Sequence, residues 1–381
     1  MSMERNDRVE PTESWEAAGP VTRMSVVVIG GGQAGLAAAY YLCRQPGLDF
    51  AVLDGGPRIG HVWHRRWDSL RTFTSARYCS LPGLAFPGPP DRYPGKNEIA
   101  EYLARYATHF DIPIRLDSRV TAVRRVHDGF EVQVTTGTVI ARSLIIATGA
   151  FGAPFIPAFG SQLPVGVRQL HSSEYRNPDQ IGAGPVLVVG AGNSGIQIAR
   201  ELAGGREVML SHGRPRPELP QQVLGRDIFW WMSIFGVMTA PVELPLVDAL
   251  TGSDPVVGNR LQQMAQDCAV HLVGRARGVS GGQVITDDGE CLAPATVIWA
   301  TGYRHDWSWL APEFLDGSGM PRHAAGVGAV MGSYYLGLYR LKTRGSALLG
   351  FVRRDAERIV AHLVDHLDTD MTLVPDQETV D

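Results

Sequence analysis

Two glycine-rich turns of one design, GGGQAG at Gly30 to Gly35 and GAGNSG at Gly190 to Gly195, each follow directly on a short apolar run. A strand that ends in G-x-G-x-x-G and opens a helix uses its first glycine for a tight turn. The second glycine lets backbone approach a pyrophosphate, and the third lets helix and strand pack closely. The anion then rests on the helix N-terminus, where N–H groups lack partners and the macrodipole is positive. Two such turns constrain the chain to an α/β fold with two Rossmann-like dinucleotide-binding units.

The context of the first turn sharpens the reading. Val26 to Ile29 is a continuous apolar run, as expected of a strand covered on both faces of a parallel sheet. Ala34 to Cys43 follows as a helix, and Phe50 to Leu53 is a second strand ending at Asp54. An acid about 20 residues past the turn is placed to hydrogen-bond the ribose hydroxyls of an adenine dinucleotide. Farther on, Asn97 to His109 is predicted helical, Val120 to Val126 and Phe130 to Val134 form a hairpin turned at Asp128-Gly129, and Ser143 to Ala147 is a strand that ends in Ala147-Thr148-Gly149. Phe151 to Gly160, rich in proline and glycine, is predicted to cross between units.

The second unit repeats the pattern with one change. Val186 to Val189 leads into the turn, Asn193 to Leu202 is the helix, and Glu207 to Ser211 is the next strand. No carboxylate stands at its end; His212, Arg214 and Arg216 do. Guanidinium binds phosphate through two charge-assisted hydrogen bonds, so this end suits a ribose carrying a 2′-phosphate, and NADPH is expected over NADH. Val297 to Ala300 with Thr301-Gly302 repeats the earlier strand and A-T-G ending. The second unit therefore reads as an insertion into the first: a tail at 1–23, first-unit parts at 24–152 and 299–381, and the inserted unit at 153–298. Gly337 to His366, a glycine-rich turn and a long helix, is expected to complete the first unit.

Composition narrows the class. A hydrophobic content of 44% with 19% charged residues fits an ordinary globular protein, and a net charge of -4 gives no reason to expect nucleic acid as a partner. Met1 to Arg23 is polar, without the apolar centre of a signal peptide, and no stretch is long enough to span a bilayer. The four cysteines, Cys43, Cys79, Cys268 and Cys291, stand apart with no C-x-x-C pair. Neither zinc nor a dithiol centre is signalled, and a cytoplasmic setting is expected. His61 and His64 are three apart, but the glycines and aromatics around them favour a loop, and no metal is assigned.

Four further stretches resemble the flavin-containing monooxygenase family, including its bacterial and plant indole-pyruvate-oxidising branches. They are Gly60-His61-Val62-Trp63 with Trp67-Asp68-Ser69-Leu70-Arg71, Leu81-Pro82-Gly83 with Phe86-Pro87, His171-Ser172-Ser173-Glu174-Tyr175, and Ala300-Thr301-Gly302-Tyr303. The likeness runs from Met24 to about His366. It departs at the interdomain fingerprint, where Gly166 lies one residue too far from His171 and Pro164 replaces a phenylalanine. Phe73 and Thr74 lie where many animal members have an asparagine beside the flavin.

The resemblance implies FAD in the first unit and NADPH in the second. A hydride would pass to the flavin, O2 would add to give a C4a-hydroperoxide, and this would oxygenate a small substrate by N- or S-oxygenation or by oxidative decarboxylation. The hard chemistry would belong to the cofactors. Candidate binding residues are Gly30, Gly32, Gln33, Ala34, Gly35, Asp54, Trp63, Arg71, Thr72, Val120, Thr148 and Gly149 for FAD, and Gly190, Gly192, Asn193, Ser194, Gly195, Arg214, Arg216, Thr301 and Gly302 for NADPH. No catalytic side chain is assigned; His171 and Tyr175 are the nearest candidates. Two rivals share these sites: an NADPH-dependent flavin oxidoreductase or oxidase without oxygen transfer, and a non-catalytic nucleotide sensor. Phe229 to Met238 is expected to pack on the NADPH unit or to line a substrate passage with Trp307 and Trp309; an exposed face there would permit a homodimer.

Overall fold

The computed structural model describes residues 21–149, 151–245, 255–258 and 260–372. Of the expected tail, 1–20 lie outside the described residues, and Val21 to Arg23 are not tail: the first strand, β1 (Val21–Ile29), begins at Val21. It does so because its whole length finds a partner. β6 (Gly137–Ile146) runs parallel to it from Val21↔Thr138 to Ile29↔Ile146. The expected strand at Ser143 to Ala147 is thus the second half of a ten-residue strand.

β6 changes neighbours on its other edge. Its first half pairs antiparallel with β5 (Gly129–Val134), itself paired with β4 (Val120–Val126), and its second half pairs parallel with Ser333–Tyr335. β2 (Phe50–Leu53) and β3 (Ile114–Arg115) extend the sheet beyond β1. Helix α1 (Gln33–Leu42) covers one face. Its Ala37, Ala38 and Ala39 are fully buried, and these small side chains let the sheet and the C-terminal helix Arg353–Thr372 both approach it. That helix buries Ala356, Ile359, Val360, Leu363 and Leu367, the stripe that a 3.6-residue period presents to a core.

The second sheet is parallel throughout, in the order His271–Val273, β10 (Val208–Ser211), β9 (Val186–Val189), Thr296–Trp299, β8 (Arg168–His171). Helix α4 (Asn193–Leu202) packs on β9 and β10. The two crossings between the units lie side by side, since β7 (Ala153–Pro154) pairs antiparallel with Tyr303–Arg304. In each sheet the strand feeding the glycine turn lies between a neighbour on either side, β1 between β2 and β6, β9 between β10 and Thr296–Trp299. These are the switch points where open α/β sheets bind ligands at their C-terminal edges.

Two further expectations are corrected and one is extended. Residues 61–64 form a short helix, α2 (His61–His64), rather than a loop. Gly60 opens it at φ +75°, with Ala100 of α3 (Lys96–His109) so close that a Cβ on Gly60 would lie 2.7 Å from the Ala100 Cα. The Phe229–Met238 stretch, carried by α5 (Ile228–Ile234), packs on both units rather than on the second alone: Phe229 and Met238 are buried with Val257 and Leu219 of the second unit and with Phe73, Tyr78, Leu348 and Phe351 of the first. Trp307 and Trp309 do not join it. They pack with Phe130, Phe314 and Tyr335 on the first sheet, because the chain has by then returned to that sheet.

Candidate nucleotide-binding sites

The two turns are built alike. Gly30 (φ +109°) and Gly190 (φ +111°) adopt left-handed backbone, where a Cβ would meet the Ala147 and Ala300 carbonyl oxygens at 2.6 and 2.4 Å. A Cβ on Gly35 or Gly195 would strike the oxygen of Gly30 or Gly190, at 1.9 and 1.8 Å. The A-T-G endings of the two units therefore serve as floors under the two turns. The middle glycines differ. A Cβ on Gly32 would meet nothing within 4 Å, and one on Gly192 only the Arg216 guanidinium at 3.9 Å. Neither α1 nor α4 has a side-chain cap or an acid in its first turn. Each helix start is thus open and positive, as a pyrophosphate requires.

Asp54 ends β2 beside the first turn. Its Oδ2 accepts the Gly31 N–H at 2.7 Å and its Oδ1 accepts the Gly56 N–H at 2.8 Å, so the carboxylate is oriented by backbone. Gln33 donates from Nε2 to the Ala347 carbonyl at 3.2 Å, and Ala34 packs beneath Gly337. Thr148 is exposed beyond the first floor, and Gly149 turns there at φ +73°. Val120 starts β4 opposite Val134. Trp63 packs against the cores of both units. Arg71 is ion-paired with Glu98 at 3.6 Å, and its carbonyl accepts from Gln197 of α4; the Thr72 hydroxyl turns inward to the Thr74 carbonyl.

At the second turn, Arg214 and Arg216 are exposed past β10, with Arg216 nearer the glycines. The Asn193 side-chain amide donates to the Pro255 carbonyl and accepts from the Val257 N–H. Ser194 stands beside it on the first turn of α4. The Thr301 hydroxyl donates to the Phe155 carbonyl, and Gly302 turns at φ +83°.

His171 and Tyr175 are spent on protein partners. His171 is 1% exposed; its Nδ1 accepts the Ser173 N–H at 3.1 Å and its Nε2 donates to the Gly302 carbonyl at 2.9 Å. A backbone N–H only donates and a carbonyl only accepts, so the ring is fixed as the neutral Nε2–H tautomer. Burial holds its pKa below the ordinary histidine value. Tyr175 is fully buried and donates to Glu201 at 2.9 Å; burial and that carboxylate push its phenol up. Both are joints between crossing and sheet.

Sequence reasoning missed several groups. Arg275, after the strand beside β10, lies 3.7 Å from where a Gly213 Cβ would be, at the strand end that carries Arg214. Arg66 donates to the Tyr303 hydroxyl at 2.5 Å and lies over the Phe151 ring, bridging the two crossings. The signal for Arg275 was a second arginine-bearing strand end, visible once strand order was known. Among the described residues, no group of three His, Cys, Asp or Glu could hold a metal, and no helix is long and apolar enough to cross a membrane.

A profile of the pyridine nucleotide-disulphide oxidoreductases matches residues 27–220, spanning the first turn, its A-T-G floor and the second turn. An uncharacterized CzcO-like oxidoreductase of Geobacillus kaustophilus is 41% identical over 345 residues, covering 90% of this chain and 99% of its own. The flavin-containing monooxygenase from Stenotrophomonas maltophilia superposes with a TM-score of 0.77 at 28% identity, covering 91% of this chain and 99% of that one. The chain belongs to the pyridine nucleotide-disulphide oxidoreductases, in the flavin-containing monooxygenase family. This flavin-containing monooxygenase is also 27% identical to a probable indole-3-pyruvate monooxygenase, YUCCA9, of Arabidopsis thaliana over 339 residues, covering 78% of this chain and 79% of the relative. It is a flavoprotein oxidoreductase of the monooxygenase class.

Proposed function

We propose that this flavin-containing monooxygenase holds FAD at the Gly30–Gly35 turn and NADPH at the Gly190–Gly195 turn, and transfers one atom of O2 to a small aromatic or lipophilic molecule. The observation that carries the reading is the pair of floored turns, each open above its middle glycine. When bound, FAD supplies the redox chemistry, accepting a hydride from NADPH and, once reduced, activating O2. The protein's own part is binding and orientation. Gly32 and Gly192 leave room for the two pyrophosphates, Asp54 faces the first adenosine ribose, and Arg214 and Arg216 meet the 2′-phosphate of the second. Trp63 and Arg71 touch both units, and with the neighbouring Thr72 they would line the place where the flavin ring and nicotinamide meet and water must be kept out.

The test compares NADPH consumed with hydrogen peroxide released by the FAD-loaded protein, with and without candidate amines, thioethers and aromatic keto acids. Oxygenated product formed at the expense of peroxide supports the monooxygenase. Peroxide equal to NADPH under every substrate would make the protein an oxidase, and a flavin that NADPH does not bleach without O2 would make it a sensor.

A further inference from the structure

The chain holds two lysines, and one of them is buried. Lys96 is the first residue of α3, where a cation opposes the helix dipole. Its side chain is only 8% exposed, yet all three ammonium protons have acceptors: the Arg66 carbonyl at 2.7 Å, the His64 carbonyl at 3.2 Å and the Asp68 carboxylate at 2.6 Å. Asp68 continues outward. Its other oxygen accepts from the Asn177 amide at 2.8 Å, and its N–H donates to the Arg176 carbonyl at 2.7 Å. Lys96 and Asn177 together hold the Asp68 carboxyl below the usual carboxylate range.

The three pieces so joined belong to different parts of the molecule. The α3 helix is rooted in the first unit's core through Ile99, Tyr102, Leu103 and Tyr106. The segment after α2 is rooted in the second: Trp67 and Leu70 are buried with Tyr175, Ile181 and Val186. Asn177 lies on the stretch between β8 and β9. The 63–70 segment is therefore a strut that passes from one core into the other, and the Lys96 ammonium is the polar clamp on it.

We propose that Lys96 is a positioning residue for hydride transfer: through the strut and the Asp68–Asn177 bond it fixes how the second nucleotide unit faces the first. The inference rests on the proposed placement of FAD and NADPH. The hydride leaves the nicotinamide with both electrons, giving NADP+ and reduced flavin, and its rate depends steeply on the distance and angle between two rings carried by separate units. A displacement of about 1 Å in such an approach costs about a hundredfold in rate. Lys96 touches neither ring; it sets the approach.

The experiment mixes FAD-loaded wild-type, Lys96→Met, Asn177→Ala and the double variant with NADPH under anaerobic conditions and follows bleaching of the flavin. Lys96→Met is expected to lower the limiting rate about tenfold or more while the half-saturating NADPH concentration stays within about twofold. FAD bound per chain should match wild type in both single variants. Asn177→Ala, which removes only the outer end of the link, should slow bleaching in the same way by less. The double variant should be no slower than Lys96→Met, because one connection is broken once. Limiting rates equal to wild type, losses that add in the double variant, or a change confined to melting temperature or FAD content would overturn the proposal. If Lys96→Met does not fold, Asn177→Ala carries the same comparison alone. Failure of the wild type itself to bleach is a separate result and overturns the placement of the two dinucleotides.

Discussion

The Asp54 carboxylate accepts the backbone N–H of Gly31 at 2.7 Å, so the acid that ends the second strand braces the glycine turn that ends the first. One residue thus shapes the glycine loop and, in the proposed placement of FAD, would also face the ribose. Asp54→Ala removes both functions, and hydrogen bonds to a charged group are each worth about 1.5–3 kcal/mol. The FAD dissociation constant is expected to rise about ten- to hundredfold, read by titrating the apoprotein with FAD. Wild-type affinity in the variant would remove Asp54 from the site.

The glycines of each turn separate into positions crowded by backbone and positions that open onto free space. Gly32→Val places its side chain in the open space, with an ordinary backbone at φ −78°, so the fold should survive and FAD retention should be lost. Gly35→Ala drives a Cβ to 1.9 Å from the Gly30 oxygen and should unfold or strongly destabilise the protein. Thermal melting of the two apoproteins distinguishes these results. Equal melting temperatures would contradict the assignment.

Arg216 is the arginine nearer the second turn, within 3.9 Å of a Cβ position on Gly192. Arg216→Ala should raise the Michaelis constant for NADPH about ten- to hundredfold, the range of one charge-assisted bond to phosphate, and leave that for NADH almost unchanged. Arg275→Ala should act in the same direction by less. Equal losses with both nucleotides would assign these arginines to the fold.

His171 predicts a pH dependence of stability. Its folded pKa is lowered by burial, while the unfolded chain returns it to about 6.5. The unfolded state therefore binds the proton more readily, so the stabilisation is complete above about pH 6.5 and is lost as pH falls from there through the folded value. His171→Gln, which cannot titrate, should melt lower at pH 8 but show a shallower fall between pH 7 and 5. A slope identical to wild type would mean that other groups govern it.

Elements bounded by local signals were legible in the sequence. Phe50–Leu53, Val186–Val189 and Asn193–Leu202 lie where the glycine turns and apolar runs put them, because strand ends and helix starts there are set by neighbours in the chain. What escaped depends on distant partners. The first half of β6 becomes a strand through its pairing with β1 and β5, partners that lie outside its own sequence. The α5 helix reads as apolar without saying against what, and much of its cover, Phe73 and Phe351 among it, lies more than a hundred residues away on either side. The glycine cradles were visible because their signal is local; Arg275 was not, because its place beside Gly213 depends on the pairing of two strands distant in the chain. Lys96 was overlooked as the residue before an expected helix at Asn97; its three acceptors lie 28 to 32 residues back.

The second nucleotide unit, continuous in the chain, does not own its whole core. An indole and an isobutyl group at its centre, Trp67 and Leu70, are lent by a stretch encoded some hundred residues earlier. A chimera that exchanges only 153–298 with a relative would leave that loan mismatched, and the same segment expressed alone would lack two side chains of its core. The unit must therefore travel with 63–70 to remain packed when it is transplanted.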